Sequence, residues 1–206
     1  MNDITNFFLE VYSDTSIPLI LLEAIAFVFG IASVWYAKNE NILVYPTGLV
    51  ATIISVYLLY KAEYFGDMTM NFYYSIMSIY GWFIWSNNSE NNIISISTTN
   101  SKEKLIGIVL FILTIFITYF IYQFFDYKLE LLNYIDIFTS GIFFTAMWYM
   151  AKRKIENWIL WIIGDIITVP LYAYRGLGML ALQYLIFTII AIYAYLEWKR
   201  ILQKKI

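Results

Sequence analysis

The chain has 206 residues, 61% hydrophobic, 20% aromatic and only 14% charged, with 13 Lys+Arg against 15 Asp+Glu and a net charge of −2. Mean hydropathy is +0.67, whereas soluble domains carry about 25% charged and 45–50% apolar residues, so a soluble enzyme, a disordered chain and a basic nucleic-acid-binding module are excluded. Histidine and cysteine are absent, which removes disulfides, thiolate and imidazole metal sites, and His- or Cys-based nucleophilic catalysis.

Crossing the hydrocarbon core takes about 20 mostly apolar residues. Seven such runs lie between charged or Asn-rich breaks, at roughly 17–37, 42–60, 68–86, 105–125, 131–151, 156–174 and 177–198. The segment ahead of the first carries Asp3, Glu10 and Asp14 and no Lys or Arg. That is unlike a signal peptide, so the first span is expected to be retained. Ser86 to Lys104 is the longest polar stretch and reads as the one flexible linker. No soluble domain fits between the spans. The expected architecture is a single all-α integral membrane domain over 1–206 with seven transmembrane helices.

Cations near span ends set orientation. The loops on the side of the N-terminus hold Lys61, Lys128 and Arg175. The opposite set holds Lys38, Lys102, Lys104, Lys152, Arg153, Lys154, Lys199, Arg200, Lys204 and Lys205. Ten cations against three predict the N-terminus outside and the C-terminus in the cytoplasm.

The first three spans can be laid over the last three. Trp35-Tyr36, Tyr80 and Trp85 precede Trp148-Tyr149, Tyr193 and Trp198 by 113 residues. Glu40-Asn41, Gly48 and Thr52 precede Glu156-Asn157, Gly164 and Thr168 by 116, which calls for a three-residue shift on entry and another on exit. Units starting four spans apart enter the membrane in the same direction. The pattern therefore predicts parallel repeats about an axis along the membrane normal, over about 17–86 and 131–198, with 105–125 as a lipid-facing linker helix. A pathway between the two triplets is expected.

Three ionisable groups fall inside the spans: Glu23, Asp136 and Asp165. Glu23 and Asp136 lie near the outer ends and read as rim carboxylates. Asp165 sits mid-span, where spacings of four, four and three place Asn157, Trp161, Asp165 and Thr168 on one helical face. With no Lys or Arg inside any span, its partner is either a proton or a cation on the ligand. The third span repeats the striping with Asn71, Ser75, Ser78, Trp82 and Trp85, and the seventh offers Gln183, Tyr184 and Phe187. Trp35, Trp148 and Trp198 read as interface belts. Trp82, Trp85, Trp158 and Trp161 share a face or a turn with amides and a carboxylate and read as a ligand cage. Indole faces beside amides and one anion suit a flat cationic heterocycle. Pro46 and Pro170 are candidate kinks in opposite repeats.

The sixth and seventh spans, from Glu156-Asn157-Trp158-Ile-Leu-Trp161 through Pro170-Leu-Tyr-Ala-Tyr-Arg-Gly-Leu177 to Gln183-Tyr184 and Glu197-Trp198, resemble the signature of the PnuC family of vitamin transporters. Tyr80-Gly81-Trp82-Phe-Ile-Trp85 resembles that family's tryptophan pair. The resemblance covers nearly the whole chain and is weakest in the first span, the linker and the fourth span. It implies a SWEET-like fold, a homotrimer in the bacterial inner membrane, and facilitated diffusion of nicotinamide riboside, trapped inside the cell by phosphorylation. It implies no cofactor. The substrate-binding set it suggests, together with the polar stripes, is Asn71, Ser78, Trp82, Trp85, Asn157, Trp158, Trp161, Asp165, Thr168, Gln183 and Tyr184. The chain departs from the family pattern at Asp165, where many nicotinamide riboside members carry an amide. Relatives of the same fold carry thiamine, also a cationic heteroaromatic, so thiamine is the alternative cargo. No phosphate-binding Gly-x-x-x-x-Gly-Lys-Ser/Thr loop supplies ATP. A retinal protein needs a lysine in the last span, which has none. An intramembrane enzyme lacks the residues for a metal or nucleophile constellation. A purely structural membrane protein would not need an unpaired mid-span carboxylate; a structural or enzymatic membrane protein stands as the non-transporter alternative.

Overall fold

The structure, a computed structural model, describes residues 15–61, 65–86, 95–124 and 129–204. The segment before Thr15, linker residues 87–94, Lys128 and Lys205 lie outside the described residues. Lipid offers no hydrogen bonds to a backbone, so a spanning segment must satisfy its own N–H and C=O groups. Among the described residues the chain does so with seven helices: α1 Ile17–Lys38, α2 Val44–Lys61, α3 Phe65–Ser86, α4 Ser101–Phe124, α5 Leu131–Ala151, α6 Glu156–Tyr174 and α7 Gly178–Gln203. No strand occurs among the described residues, only an isolated bridge between Ser97 and Lys154. Five helices, α1, α2, α4, α6 and α7, are long and apolar enough to cross a membrane. The other two, α3 and α5, have 22 and 21 residues, about 32 Å at 1.5 Å per residue, and carry more polar and aromatic side chains.

Two neighbouring triplets build the bundle. Helix α2 packs between α1 and α3, and α6 packs between α5 and α7. The triplets meet where α1 lies on α7 and α3 on α5. Helix α5 is the most enclosed, its residues from Asp136 to Ala151 almost all buried. Helix α4 buries only Gly107, Thr114 and Thr118 and leans on α5, where Thr145 Oγ1 donates to Gly107 O and Tyr149 OH to Glu103 O, both at 3.3 Å. Of the two candidate kink prolines, Pro46 falls in the first turn of α2, where its missing N–H has no partner to lose. Pro170 alone lies inside its helix.

The two triplets keep one spacing. Moved by 113 residues, α1, α2 and α3 fall on 130–151, 157–174 and 178–199, within a residue of α5 and α6 and on the start of α7. The turns agree bond for bond. Glu40 N donates to Ala37 O and Asn41 N to Tyr36 O, as Arg153 N does to Met150 O and Lys154 N to Tyr149 O. Glu40 and Arg153, 113 apart, both adopt left-handed backbone, with φ of 52° and 51°. The 116-residue spacing expected from Glu40-Asn41, Gly48 and Thr52 is thereby corrected. Glu40 corresponds to Arg153 and Tyr45 to Trp158, with no shift, because turn geometry rather than residue identity keeps the register.

One end of the bundle is closed by crossed tryptophans. Trp85 of α3 donates its Nε1 to Ala151 O, the last residue of α5, at 3.2 Å. Trp198 of α7 donates to Lys38 O, the last residue of α1, at 3.1 Å. Tyr45 meets Trp85 edge to face at 5.1 Å, and Trp158 meets Trp198 the same way at 5.5 Å. Trp198, expected at the membrane interface, is fully buried here, since its N–H has a carbonyl to satisfy inside the protein. Trp35 is exposed, with the Lys38 ammonium 4.6 Å from its ring centre, and Trp148 is half-buried. The second half of the expected flexible linker is strapped to the α5–α6 turn. Ser97 N donates to Arg153 O at 3.2 Å, Ile155 N to Ser97 O at 3.0 Å, and Thr99 N and Oγ1 both donate to Glu156 Oε1 at 2.9 Å.

Replacing either clamp indole by phenyl leaves a buried carbonyl without its donor, at roughly 1–3 kcal/mol. Trp85→Phe and Trp198→Phe are each expected to lower the melting temperature in detergent, and the double variant further. An unchanged melting temperature in both single variants would show that the clamps do not hold the bundle together.

Candidate functional site

A cavity of about 870 Å³ runs along the bundle axis from the end where α2 and α6 finish down to the clamped end. That volume lies within the 300–1,000 Å³ range usual for small-molecule sites. Its two walls differ in chemistry. On the α5–α7 side Phe143 stacks on Trp161 at 5.4 Å and 26° and on Tyr184 at 6.0 Å and 30°. Tyr172 and Phe187 flank Tyr184 at 5.3 and 5.8 Å, and Tyr74 of α3 approaches Trp161 at 6.5 Å. The stack depends on Gly164, where any Cβ would sit 2.2 Å from the Phe143 ring. Next in sequence comes Asp165, 1% exposed and bordering the cavity. Its Oδ1 has no hydrogen-bond partner and no salt bridge reaches it among the described residues. On the α1–α3 side the wall carries Ser33, Thr52, Ser55, Asn71 and Ser78. Ser33 Oγ donates to Val44 O at 2.8 Å and Asn71 Nδ2 to Asp67 O at 3.0 Å.

Charged groups gather at the mouth, where Glu23, Lys61, Asp67 and Arg175 line the cavity. Both terminal nitrogens of Arg175 donate to the carboxylate of Asp136, which also accepts from Tyr122 OH at 3.5 Å. Burial pulls the Arg175 guanidinium down, but the hydrogen bond and charge of Asp136 outweigh it and hold the group above its ordinary value. The mouth is thus ionic and partly paired. The deep cavity holds one unpaired carboxylate.

Seven of the sequence-predicted residues border this cavity: Asn71, Ser78, Trp158, Trp161, Asp165, Gln183 and Tyr184. Four do not. Trp82 is 42% exposed on the outer side of α3. Trp85 is committed to the clamp, with the Arg153 guanidinium 4.0 Å over its ring. Asn157 is buried in the first turn of α6, where its Nδ2 donates to Lys154 O. Thr168 turns its hydroxyl back onto Gly164 O at 2.8 Å. A helical stripe can be read from spacing, but it runs the full helix, whereas the cavity borders only part of α3 and α6. Sequence reasoning missed Tyr74, Phe143, Tyr172 and the mouth groups Asp67 and Arg175. Tyr74 had a signal, lying three residues after Asn71 and four before Ser78, and Tyr172 lies seven after Asp165. Phe143 had none, being one apolar residue in an apolar run.

The family model described as Nicotinamide mononucleotide transporter matches residues 20–200. The chain belongs to that family. Among relatives of this nicotinamide mononucleotide transporter family member, the nicotinamide riboside transporter PnuC of Escherichia coli (strain K12) is 22% identical over 201 residues, spanning 86% of this chain and 84% of that protein. The protein of the same description from Neisseria mucosa is 23% identical over 194 residues, spanning 89% and 73%. A crystal structure of the vitamin B3 transporter PnuC is similar with a TM-score of 0.74 at 21% identity, over 94% of this chain and 85% of that one. The likeness is one of fold, and it agrees with the seven-helix architecture.

Two carboxylates in this transporter have opposite surroundings. Asp136→Asn strips a partly buried ion pair of its anion and is expected to cost roughly 1–3 kcal/mol, visible as a lower melting temperature. Asp165→Asn replaces a buried carboxylate whose Oδ1 has no hydrogen-bond partner among the described residues, so its melting temperature should hold or rise. Equal losses in the two variants would contradict this difference in pairing.

Proposed function

We propose that this chain carries nicotinamide riboside across the bacterial inner membrane by facilitated diffusion, with phosphorylation inside the cell trapping the cargo. The observation that carries the reading is the unpaired carboxylate of Asp165 beside the stacked rings of Phe143 and Trp161. A flat aromatic cation gives that carboxylate its counter-ion and those rings a stacking partner. The E. coli and N. mucosa relatives are named for the same cargo. Charge favours the nucleoside over the mononucleotide of the family's description. The cavity-lining cations are Lys61 and Arg175, both at the mouth and the latter paired with Asp136. A phosphate carried deeper would face Asp165 with no cation beside it. The proposed contact set is Asn71, Ser78, Trp158, Trp161, Asp165, Gln183 and Tyr184.

The two triplets are read as parallel repeats about an axis along the membrane normal, a reading supported by the constant 113-residue spacing of helix bounds, turn bonds and left-handed residues. Rocking of one triplet against the other would then expose the cavity alternately. The cation asymmetry puts the clamped end in the cytoplasm and the ionic mouth outside. The resemblance adds a homotrimer, and the outward apolar face of α4, with Phe116, Ile117 and Phe120 exposed, faces lipid or neighbouring copies. Such a carrier needs no cofactor and makes or breaks no bond in its cargo.

Calorimetry on purified protein with nicotinamide riboside, thiamine and riboflavin in parallel tests the assignment. Nicotinamide riboside should bind, and Asp165→Asn should weaken it about tenfold or more, some 1.4 kcal/mol. Binding of thiamine alone would move the cargo to thiamine, and binding of none would sink the transporter reading for these vitamins. For orientation, a C-terminal green fluorescent fusion should fluoresce while a C-terminal alkaline phosphatase fusion stays inactive. The converse pair of results would invert the topology.

A further inference from the structure

Phe143 and Trp161, the stacked pair of the aromatic wall, have Gly30 and Gly48 as their counterparts 113 residues earlier. All four residues border the cavity. Where one triplet presents two large rings, the other presents two hydrogens, so the two walls of the cavity differ in bulk as well as in chemistry. These glycines differ from the rest. At Gly81, Gly107, Gly141 and Gly164 a Cβ would run into the aromatic side chains of Tyr45, Tyr149, Phe111 and Phe143, so those four serve helix packing. At Gly30 the nearest atom to a Cβ is Gln183 Nε2, at 2.8 Å. At Gly48 the nearest are Ser33 Oγ at 2.9 Å and Ser78 Oγ at 3.5 Å. Each of these polar tips belongs to a residue that lines the cavity.

We infer that Gly30 and Gly48 are specificity-determining residues that make the place for the ribosyl part of the cargo. The inference rests on the functional reading above. The heteroaromatic ring belongs on the wall that has ring faces and a carboxylate. The sugar, which needs hydrogen-bonding partners for its hydroxyls, belongs on the wall where no side chain projects from Gly30 and Gly48 and where an amide and two hydroxyls line the cavity. Absence of a Cβ at Gly30 lets the Gln183 amide lie back against α1, and at Gly48 it leaves Ser33 free to bond Val44 O at 2.8 Å. A methyl group at either position pushes these tips from their places and into the sugar's space. The displaced atoms are side-chain ends rather than backbone, so the bundle itself is retained.

The discriminating ligand is 1-methylnicotinamide, which keeps the cationic ring and carries a methyl group in place of the sugar. Calorimetry of both compounds on wild type, Gly30→Ala and Gly48→Ala should show nicotinamide riboside weakened about tenfold in each variant, with 1-methylnicotinamide changed by less than about twofold. Equal weakening of both compounds, or no change in either, overturns the inference. If the alanine variants do not fold, Gln183→Ala and Ser78→Ala should show the same selective loss of the riboside, and equal loss of both ligands again overturns it. Wild-type protein that binds neither compound sinks the functional reading and this inference with it. Wild type that binds both compounds leaves that reading intact whatever the glycine variants do.

Discussion

Everything in this bundle depends on how two helix ends are finished. The last carbonyls of a helix have no partner within it, and leaving one bare in a dry environment costs several kcal/mol at most and roughly 1–3 in proteins. Helices α1 and α5 end in a cluster where Tyr45, Trp85, Trp158 and Trp198 are buried. The C-cap N–H groups of Asn39 and Lys152 turn back to Trp35 O and Trp148 O, not to the carbonyls of Lys38 and Ala151. The donor comes from the other triplet in both cases, Trp198 to the end of α1 and Trp85 to the end of α5. Each triplet therefore completes the other. The same crossing brings the two aromatic pairs together at the clamped end of the cavity, opposite its ionic mouth.

The turns beside the clamps carry a related constraint. Glu40 and Arg153 hold left-handed backbone without being glycine, a conformation that costs an ordinary residue roughly 1–2 kcal/mol. The strain is kept because each turn closes its helix with the same two backbone bonds, and because the two residues face each other as an ion pair at 3.5 Å. Arg153 also lies over Trp85. Turn, ion pair and clamp are therefore one unit. The linker breaks its symmetry: residues 97–99 bond to the α5–α6 turn, and Lys154 bridges to Glu103 at the start of α4 at 2.9 Å. One turn is tied to the connector helix and its partner has no such strap among the described residues. Among the described residues the second triplet is thus the one tied to the connector helix α4.

The number and position of the spans were legible, because run length between breaks is a direct consequence of bilayer thickness. Asp165 was legible too, since a mid-span carboxylate without a cation demands an explanation from composition alone. The roles of the tryptophans were not. Hydropathy and end position treat Trp35 and Trp198 alike, yet one is exposed and the other fully buried, and the difference lies in a carbonyl 160 residues away. The register of the two triplets misled for a comparable reason. Glu40-Asn41 matches Glu156-Asn157 in letters, but the chain places Glu40 opposite Arg153, where charge complementarity rather than identity is the rule. Lookalike residues align a sequence; equivalent hydrogen bonds align a structure. Only the second register pairs Gly30 with Phe143 and Gly48 with Trp161.

That register also shows where the two matched triplets part company. At the mouth the symmetry is kept, for Glu23 and Asp136 are counterparts, both carboxylates. Midway down it is abandoned. The counterpart of Asp165 is Thr52, whose hydroxyl accepts from Ser75 Oγ at 2.8 Å and donates within its own helix to Leu49 O at 3.2 Å. A second buried carboxylate there would add a second uncompensated charge to the same cavity, at a cost of several kcal/mol. The chain instead carries a single buried carboxylate on its single ring-bearing wall. The opposite wall, relieved of charge and bulk by Thr52, Gly30 and Gly48, is left to hydroxyls and an amide. The chain keeps its symmetry where the helix ends and turns are bonded and loses it along the cavity walls.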